Sequence, residues 1–231
     1  MAAKQCIVAT LTPVPITLRP SRNLSCWAKC LCQTERVKYS ASTISSLVTR
    51  ILAVDHRPVL VGIDGQGGSG KSTLARELAD ALTSSVAIVE GDDFYSDTSD
   101  DIKTTLDAEQ GYEEYFDWRR LKSQILQSVR DQVPMLRYQR YDWTIAAMGE
   151  WTEIPMPEVL IVEGVYTLRP ESRDYFDVTV FVQTSESTRL QRQATRGENT
   201  SFWISRWVAA EDLYVAREEP WEWVDVLVEG E

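Results

Sequence analysis

The sequence predicts an α/β fold with a doubly wound, mostly parallel sheet of about five strands and helices on both faces. Short apolar runs recur along the chain, and segments with a helical apolar period separate them. Continuous apolar runs, rather than alternating ones, are typical of parallel strands that are covered on both faces. Ligands of such sheets bind outside the carboxyl ends of the strands, so the polar residues at those ends are candidate site residues.

The predicted elements follow in order after residue 41. Residues 42–54 carry apolar residues at helical spacing and predict a first helix. The same period predicts helices over residues 72–82, 118–129, 185–196 and 204–218. Apolar runs predict strands over residues 59–63, 86–90, 159–163, 178–182 and 224–228, and residues 135–143 contain an alternating, strand-like piece. The acidic stretch 96–110 predicts an exposed loop or a short helix.

Length and charge restrict the class of protein. The chain has 231 residues, 43% of them hydrophobic, which is enough for the core of one ordinary domain with some extra sequence. Its formal net charge of −11 disfavours binding to nucleic acid or to an anionic membrane surface. No apolar window is long enough for a transmembrane helix. We expect a cytoplasmic protein that binds neither nucleic acid nor membrane, and the sequence does not predict its oligomeric state.

The first 41 residues differ in composition from the rest. This predicted leader, residues 1–41, is basic, contains prolines and holds all four cysteines of the chain. We expect it to be disordered; organelle targeting, or metal or redox use of its cysteines, are the alternatives. The remainder, residues 42–231, is predicted to be the functional domain.

A glycine-rich segment follows the first predicted strand. It reads Gly-Gln-Gly-Gly-Ser-Gly-Lys-Ser and leads directly into a predicted helix, which is the complete Walker A pattern of a P-loop. Glycines let several backbone N–H groups point at one anion, the lysine adds a cation, and the last hydroxyl can bind Mg²⁺. The alternative, a turn that only joins a strand to a helix, is less favoured. The predicted ATP-binding residues are Gly65, Gln66, Gly67, Gly68, Ser69, Gly70, Lys71, Ser72 and Thr73.

Two acidic residues end predicted strands beside this loop. Asp92 follows the strand 86–90, where its carboxylate can orient or deprotonate an attacking hydroxyl, and Asp93 could share that role. Glu163 ends an apolar run and precedes a glycine, which is the pattern of a Walker B acid, so Glu163 and Ser72 are the predicted Mg²⁺ ligands. A helix-capping acid and a solvated strand-end acid are the respective alternatives.

Arginines and aromatic residues complete the candidate site. Arg189, Arg192 and Arg196 lie on one predicted helix that ends at a glycine, where they can neutralise charge on a transferring phosphoryl group. We expect at least one of these arginines to be catalytic, in addition to Lys71 and Asp92. Eight aromatic residues between positions 95 and 143 could stack on a flat ligand, and half of them are expected to be ordinary core residues.

These motifs together resemble the uridine kinase and phosphoribulokinase family of P-loop kinases. The resemblance runs from about residue 59 to residue 228 and includes Gly-Asp-Asp-Phe-Tyr at 91–95, Tyr-Phe-Asp-Trp at 115–118, Arg-Tyr-Asp-Trp at 140–143 and Ile-Val-Glu-Gly-Val at 161–165. It implies that Asp92 takes the proton of the acceptor hydroxyl and that Asp117 binds ribose hydroxyls. By the same resemblance, Arg192 and Arg196 are the catalytic arginines, which correspond to lid arginines of the family. It also implies an acceptor pocket that includes Tyr95, Tyr141 and Trp143, and the use of ATP with Mg²⁺.

The acceptor is the least defined part of this resemblance. Uridine kinases carry a histidine shortly after the Tyr-Asp-aromatic motif, and residues 144–147 contain none. We expect a kinase for a hydroxyl of a nucleoside-like small molecule, with nicotinamide riboside and pantothenate as alternative acceptors. An NTPase switch that controls a partner protein is an alternative of a different class. A binding protein without turnover is disfavoured because Lys71, Ser72, Asp92 and Glu163 are all present.

Overall fold

The computed structural model describes residues 39–197 and 200–230 and confirms the predicted α/β class. Five strands form one sheet in the order β2-β5-β1-β6-β7, and each neighbouring pair is parallel. The strands of this sheet are β1 Val59–Asp64, β2 Val86–Glu90, β5 Val159–Glu163, β6 Val178–Gln183 and β7 Val226–Glu229. Strands β3 Met135–Asp142 and β4 Ala147–Pro155 form a separate antiparallel hairpin.

Helices connect the strands and match most of the predicted segments. The described helices are α1 Ala41–Leu52, α2 Lys71–Ala81, α3 Asp100–Lys103, α4 Ala108–Glu114, α5 Trp118–Leu121, α6 Gln127–Arg130, α7 Glu186–Arg196 and α8 Ser201–Glu218. A π-helical stretch, Lys122–Leu126, joins α5 to α6, so the predicted helix 118–129 is one continuous helical segment. The acidic stretch forms α3 and the start of α4. None of the described helices is long and apolar enough to cross a membrane.

Apolar cores cover both faces of the sheet. On one face, Leu47 of α1 and Leu78 of α2 pack in a cluster with Val61 of β1. On the other face, Ile125 and Leu126 pack in a cluster with Leu60, the neighbour of Val61 in the same strand. Successive strand residues point to opposite faces, and burying each such side chain contributes about 1.5–3 kcal/mol to folding. The helices therefore lie on both faces, as the continuous apolar runs predict.

A third cluster, rich in tyrosine, lies at the carboxyl edge of the sheet. It contains Tyr95, Tyr112, Tyr115, Tyr141, Tyr166, Ala210 and Tyr214. The rings of Tyr112 and Tyr214 stack with centroids 5.5 Å apart, which joins α4 to α8. Helix α8 is thereby fixed across the edge of the sheet where the phosphate loop begins.

The predicted leader falls almost wholly outside the described residues, as do the four cysteines. Its last residues are described from Tyr39 onward. Ser40 caps α1, because its hydroxyl accepts a hydrogen bond from the backbone N–H of Thr43 at 3.1 Å. The boundary at residue 41 stays a prediction, and α1 packs against α2 as part of the main unit.

Candidate active site

The glycine-rich loop turns between β1 and α2 and places Lys71 at the first position of that helix. Gly70 caps the helix with a left-handed backbone, φ 109°, and Gly68 has φ 80°. A Cβ on Gly68 would lie 2.7 Å from the carbonyl oxygen of Arg189, so no other residue fits there without a shift of the backbone. The loop and the N-terminus of α2 form the anion-binding geometry that the Walker A pattern predicts.

Side chains from α7 and from the residue that follows β6 hold the carbonyl oxygens of the loop. Gln193 Nε2 donates to Gly67 O at 2.9 Å, and Arg192 Nη1 donates to Gly68 O at 3.3 Å. The hydroxyl of Thr184 donates to Ser69 O at 2.9 Å. These bonds fix the loop backbone from the side opposite α2. The phosphate loop is therefore positioned by residues more than a hundred positions later in the chain.

The two predicted Mg²⁺ ligands lie close together. Glu163 is 5% exposed, and the Ser72 hydroxyl is near enough to its carboxylate to lower the pKa of Glu163. Burial raises the pKa of Glu163, while Lys71 and the Ser72 hydroxyl oppose the rise. Among the described residues, no three His, Cys, Asp or Glu side chains gather as a protein-only metal site. A hydroxyl and one carboxylate beside a phosphate loop fit a Mg²⁺ ion that completes its coordination with phosphate oxygens and water.

Asp92 lies next to this pair because two strands end in close contact. A Cβ on Gly164 would lie 2.8 Å from the Cα of Gly91, so glycines allow the ends of β2 and β5 to approach. Part of Asp92 is open to solvent, while protein surrounds its carboxylate closely enough that desolvation raises its pKa. The charges of Lys71 and then Arg196 oppose that rise. Asp92 thus lies within the electrostatic reach of the phosphate-loop lysine and of one arginine of α7.

Asp93 occupies a different environment from Asp92. Its carboxylate is 5% exposed and accepts a hydrogen bond from Arg140 Nε on β3 at 2.7 Å. Arg120 donates to the carbonyl oxygens of Asp93 and Tyr95 at 3.2 and 3.0 Å. The structure therefore uses Asp93 to anchor the hairpin, and it leaves Asp92 as the accessible acid of the pair.

The three predicted arginines have three different environments. Arg189 is 3% exposed and lies 3.8 Å from the carboxylate of Glu211. Arg192 donates to Gly68 O and to Gly230 O, the latter at 2.7 Å, so it holds the outside of the phosphate loop. Arg196, at the exposed end of α7, is the arginine whose charge acts on Asp92. Of the two arginines predicted to be catalytic, Arg196 is the one whose charge acts on the candidate base.

The predicted acceptor residues divide into buried and accessible ones. Tyr95 and Tyr141 are 2% and 6% exposed and belong to the tyrosine cluster. Trp143 is 47% exposed, and its ring centroid lies 4.5 Å from that of Tyr95. Asp117 caps α5 by accepting the backbone N–H of Arg120 at 2.9 Å, and it borders a cavity of about 210 Å³. Trp143 and Asp117 are therefore accessible to a ligand, with the tyrosines packed beneath Trp143.

Three further residues at the site were not predicted. Buried Asp64 ends β1 and accepts hydrogen bonds from Gly65 N, Leu168 N and the hydroxyl of Tyr214. Glu211 of α8 accepts the N–H of Gly67 at 2.8 Å. Lys103 is fully buried, with Nζ 3.8 Å from the centroid of Tyr95, and burial lowers its pKa to about 8. The sequence could have indicated Asp64, because this acid directly precedes the first glycine of the loop. Glu211 and Lys103 have no such signal, and only the tertiary fold reveals them.

The fold and the loop define a P-loop kinase, and comparisons with known proteins agree. A family model described as an AAA domain matches residues 61–203. Uridine kinase from Clostridium perfringens is 31% identical over 151 residues, which cover 62% of this chain and 70% of the relative. The structure of a possible uridine kinase from Bacillus stearothermophilus superposes with a TM-score of 0.63 and 25% identity, covering 81% of this chain and 97% of that one.

A second solved structure agrees in fold alone. A putative fructose transport system kinase from Silicibacter is 23% identical and superposes with a TM-score of 0.58 over 80% of this chain and 98% of that one. The chain belongs to the uridine kinase-like family of P-loop kinases. This membership supports a kinase-type phosphotransferase and implies the use of ATP.

Proposed function

We propose that this protein transfers the γ-phosphoryl group of ATP to a hydroxyl of a nucleoside-like small molecule. The observation that carries the proposal is the position of Asp92. It lies at the strand end next to the Ser72–Glu163 pair, and Lys71 and Arg196 both act on its charge. A base beside a phosphate loop, with cations that neutralise the moving group, is what phosphoryl transfer requires.

The phosphate-binding part of the proposed site consists of the loop residues 65–73. Backbone N–H groups of the loop and of the first turn of α2 bind the β- and γ-phosphates, and Lys71 adds a positive charge beside them. Lys71 Nζ donates to Gln66 O at 3.2 Å. When ATP binds, this hydrogen bond is replaced by one from Lys71 to a phosphate oxygen. Ser72 and Glu163 would hold Mg²⁺, which when bound supplies charge neutralisation on the phosphate oxygens. The raised pKa of Glu163 means that Mg²⁺ binding releases a proton whenever Glu163 is protonated beforehand.

Asp92 acts as the base in the proposed transfer. Its carboxylate accepts the proton of the acceptor hydroxyl while that oxygen attacks the γ-phosphorus and the bond to ADP breaks. Desolvation raises the pKa of Asp92, which makes it a better proton acceptor than an ordinary aspartate. Arg196 is proposed to neutralise the negative charge of the transferring group, and Arg192 to keep the loop in place through Gly68.

The accessible aromatic and acidic residues favour a nucleoside-like acceptor. Trp143 presents an exposed indole face on top of Tyr95, which suits stacking against a flat ring. Asp117 has a partly exposed carboxylate that can accept hydrogen bonds from sugar hydroxyls. We propose the acceptor-binding set Asp92, Tyr95, Asp117, Tyr141 and Trp143, in which the two tyrosines support Trp143 from below.

An acceptor screen tests this proposal. Full-length protein would be incubated with ATP, Mg²⁺ and single candidates from nucleosides, nicotinamide riboside, pantothenate and sugars, with phosphorylated product detected by mass spectrometry. We expect a nucleoside or another riboside to be phosphorylated and to stimulate ADP release. Phosphorylation of pantothenate or a free sugar alone would overturn the nucleoside-like assignment. Hydrolysis that is indifferent to every acceptor but stimulated by a protein would instead support an NTPase switch.

A further inference from the structure

Glu211 of α8 contacts the phosphate loop directly. Its carboxylate accepts the backbone N–H of Gly67 at 2.8 Å, and the residue is 5% exposed. The positions are 144 apart in the chain, so the contact depends on how α8 crosses the loop. On the same residue of the loop, Gln193 of α7 holds the carbonyl oxygen. The backbone N–H and C=O of Gly67 are therefore both held by side chains, one from α8 and one from α7.

Charged and titratable groups surround Glu211 on every element packed against it. Lys71 lies on α2, Arg189 on α7 and Asp212 on α8, and Tyr166 follows β5. Burial raises the pKa of Glu211 to about 7, with the Gly67 hydrogen bond, Lys71 and Arg189 opposing and Asp212 assisting. Arg189 Nη1 is 3.8 Å from the carboxylate, and neither this atom nor its Nε has a hydrogen-bond partner among the described residues. The ion pair between Arg189 and Glu211 is therefore long and lacks a direct hydrogen bond. Because the carboxylate is also buried, a new charge nearby should change the pKa of Glu211.

A nucleotide brings such a charge to this place. The loop that Gly67 belongs to is the proposed binding site of the β- and γ-phosphates, and Lys71 is shared between that site and the surroundings of Glu211. Negative charge close to a carboxylate favours its protonated form. A protonated carboxyl group keeps a carbonyl oxygen that can accept the N–H of Gly67, so the contact survives the change.

We propose that Glu211 is a positioning residue of the phosphate loop, and that its carboxylate, where it is ionised, takes up a proton from solvent when a nucleoside triphosphate occupies the loop. The inference rests on the proposed nucleotide site and goes beyond it, because it assigns a proton-linked role to a residue outside the Walker A and Walker B motifs. The ionised carboxylate repels the phosphates and weakens binding. The neutral form holds Gly67 without that repulsion.

The test measures nucleotide binding in the absence of any acceptor. Wild-type protein and Glu211→Gln would be titrated with a non-hydrolysable ATP analogue and Mg²⁺ by calorimetry, at about pH 6.5 and about pH 8.5, on either side of the pKa of Glu211. Glutamine keeps an acceptor for Gly67 and removes the charge. Repeating the titration in two buffers of different ionisation enthalpy gives the number of protons taken up, from the difference between the two observed binding enthalpies.

We expect wild-type affinity to fall several-fold more than that of Glu211→Gln between the two pH values, approaching the factor of ten that one full unit of pKa change would give. Near neutral pH the wild type should take up more protons than the variant. Titrations of the ligand and of the other acids occur in both proteins and cancel in the comparison. Glu150→Gln, which alters an exposed glutamate on β4 away from the loop, is the control and should keep the wild-type pH dependence.

The outcomes separate this inference from the proposed function. Equal pH dependence and equal proton uptake in wild type and Glu211→Gln would overturn the role of Glu211 while leaving the kinase proposal intact. Failure of the wild-type protein to bind nucleotide at either pH would overturn both. Glu211→Leu, which removes the acceptor of Gly67 as well as the charge, should bind nucleotide more weakly than Glu211→Gln if positioning depends on the hydrogen bond.

Discussion

The hydroxyl of Tyr214 donates a hydrogen bond to the carboxylate of Asp64 at 2.8 Å, which connects α8 to the strand that leads into the phosphate loop. Asp64 is 1% exposed and Tyr214 is 2% exposed. Asp64 also accepts the N–H groups of Gly65 and Leu168. One buried carboxylate therefore joins the start of the loop, the segment after β5 and the last long helix.

Removing the Tyr214 hydroxyl should destabilise the fold. Tyr214→Phe removes one hydrogen-bond donor from a buried oxygen of Asp64. We expect the free energy of unfolding to fall by about 1–3 kcal/mol. Urea denaturation would measure the loss. Tyr175→Phe is the matched control, because the Tyr175 hydroxyl bonds to Gln127 at an exposed position and its removal should change stability little. Equal effects of the two substitutions would contradict a structural role for the Asp64–Tyr214 contact.

Gly68→Ala should impair nucleotide binding. The left-handed backbone of Gly68 and its contact with Arg189 O leave no room for a Cβ, so the loop must shift and its N–H groups lose their common direction. We expect roughly a tenfold or greater loss of ATP affinity, or more than about 1.4 kcal/mol. Gly197→Ala tests whether backbone strain alone can weaken nucleotide binding, since Gly197 also has a positive φ but no atom of the described residues within 4 Å of an added Cβ. That control should keep nucleotide affinity, and a similar loss in both variants would argue against the packing explanation.

Trp143→Ala should raise the KM for the acceptor more than the KM for ATP. Its exposed ring is proposed to stack on the acceptor, and base–aromatic stacking is worth about 1–3 kcal/mol per base. Steady-state kinetics with the acceptor found by screening would measure both constants. Trp151, equally exposed on β4 and packed on Arg137, is the control. Trp151→Ala should leave both constants unchanged, and an unchanged acceptor KM in Trp143→Ala would remove Trp143 from the proposed pocket.

Stability of the free protein should decrease as the pH rises through about 7. Burial raises the pKa of Glu90 and of Glu211 from 4.5 to about 7, with the acids Glu163, Asp93 and Asp92 adding to the rise at Glu90. Between these values the folded protein holds more protons than the unfolded chain, so its free energy of unfolding falls with increasing pH. The stabilisation that these two carboxyl groups give to the folded protein is fully present below pH 4.5 and is lost above about pH 7.

Urea midpoints measured across this range would detect that dependence. Glu90→Gln should flatten part of it, whereas Glu150→Gln, which alters an exposed glutamate on β4, should not. Stability that rises steadily over the same interval in the wild-type protein would show that these carboxylates are not raised in pKa.

Local signals in the sequence predicted the phosphate loop and the two acids that end β2 and β5. The loop has a fixed spacing, and parallel strands bring their carboxyl ends to one edge, so Asp92 and Glu163 could be placed together without a structure. Family membership and the α/β P-loop fold are confirmed. The assigned roles of the individual site residues remain proposals.

Other parts of the site depend on contacts between distant segments. Strand β4 was not predicted because its residues are mostly exposed or half-buried and lack a clean apolar alternation. Arg140 on its partner strand β3 donates a hydrogen bond to Asp93, which lies 47 positions earlier in the chain. Glu211 and Gln193 approach Gly67 only because α7 and α8 pack over the loop. Arg192, which the family resemblance implies to be a lid arginine, donates to the loop carbonyl of Gly68 and to Gly230 O, and only the tertiary fold reveals these contacts.

Whether Asp92 activates the acceptor hydroxyl in an ATP-dependent transfer can be decided with the single variant Asp92→Asn. The measurement is the rate of acceptor-dependent ADP formation, with ATP affinity determined separately by calorimetry on the same protein. Asparagine preserves the shape of the side chain and removes its basicity, so we predict a fall in rate of about 10²–10⁴-fold with ATP affinity nearly unchanged. Phosphorylation of the acceptor at the wild-type rate by Asp92→Asn would show that Asp92 is not the base.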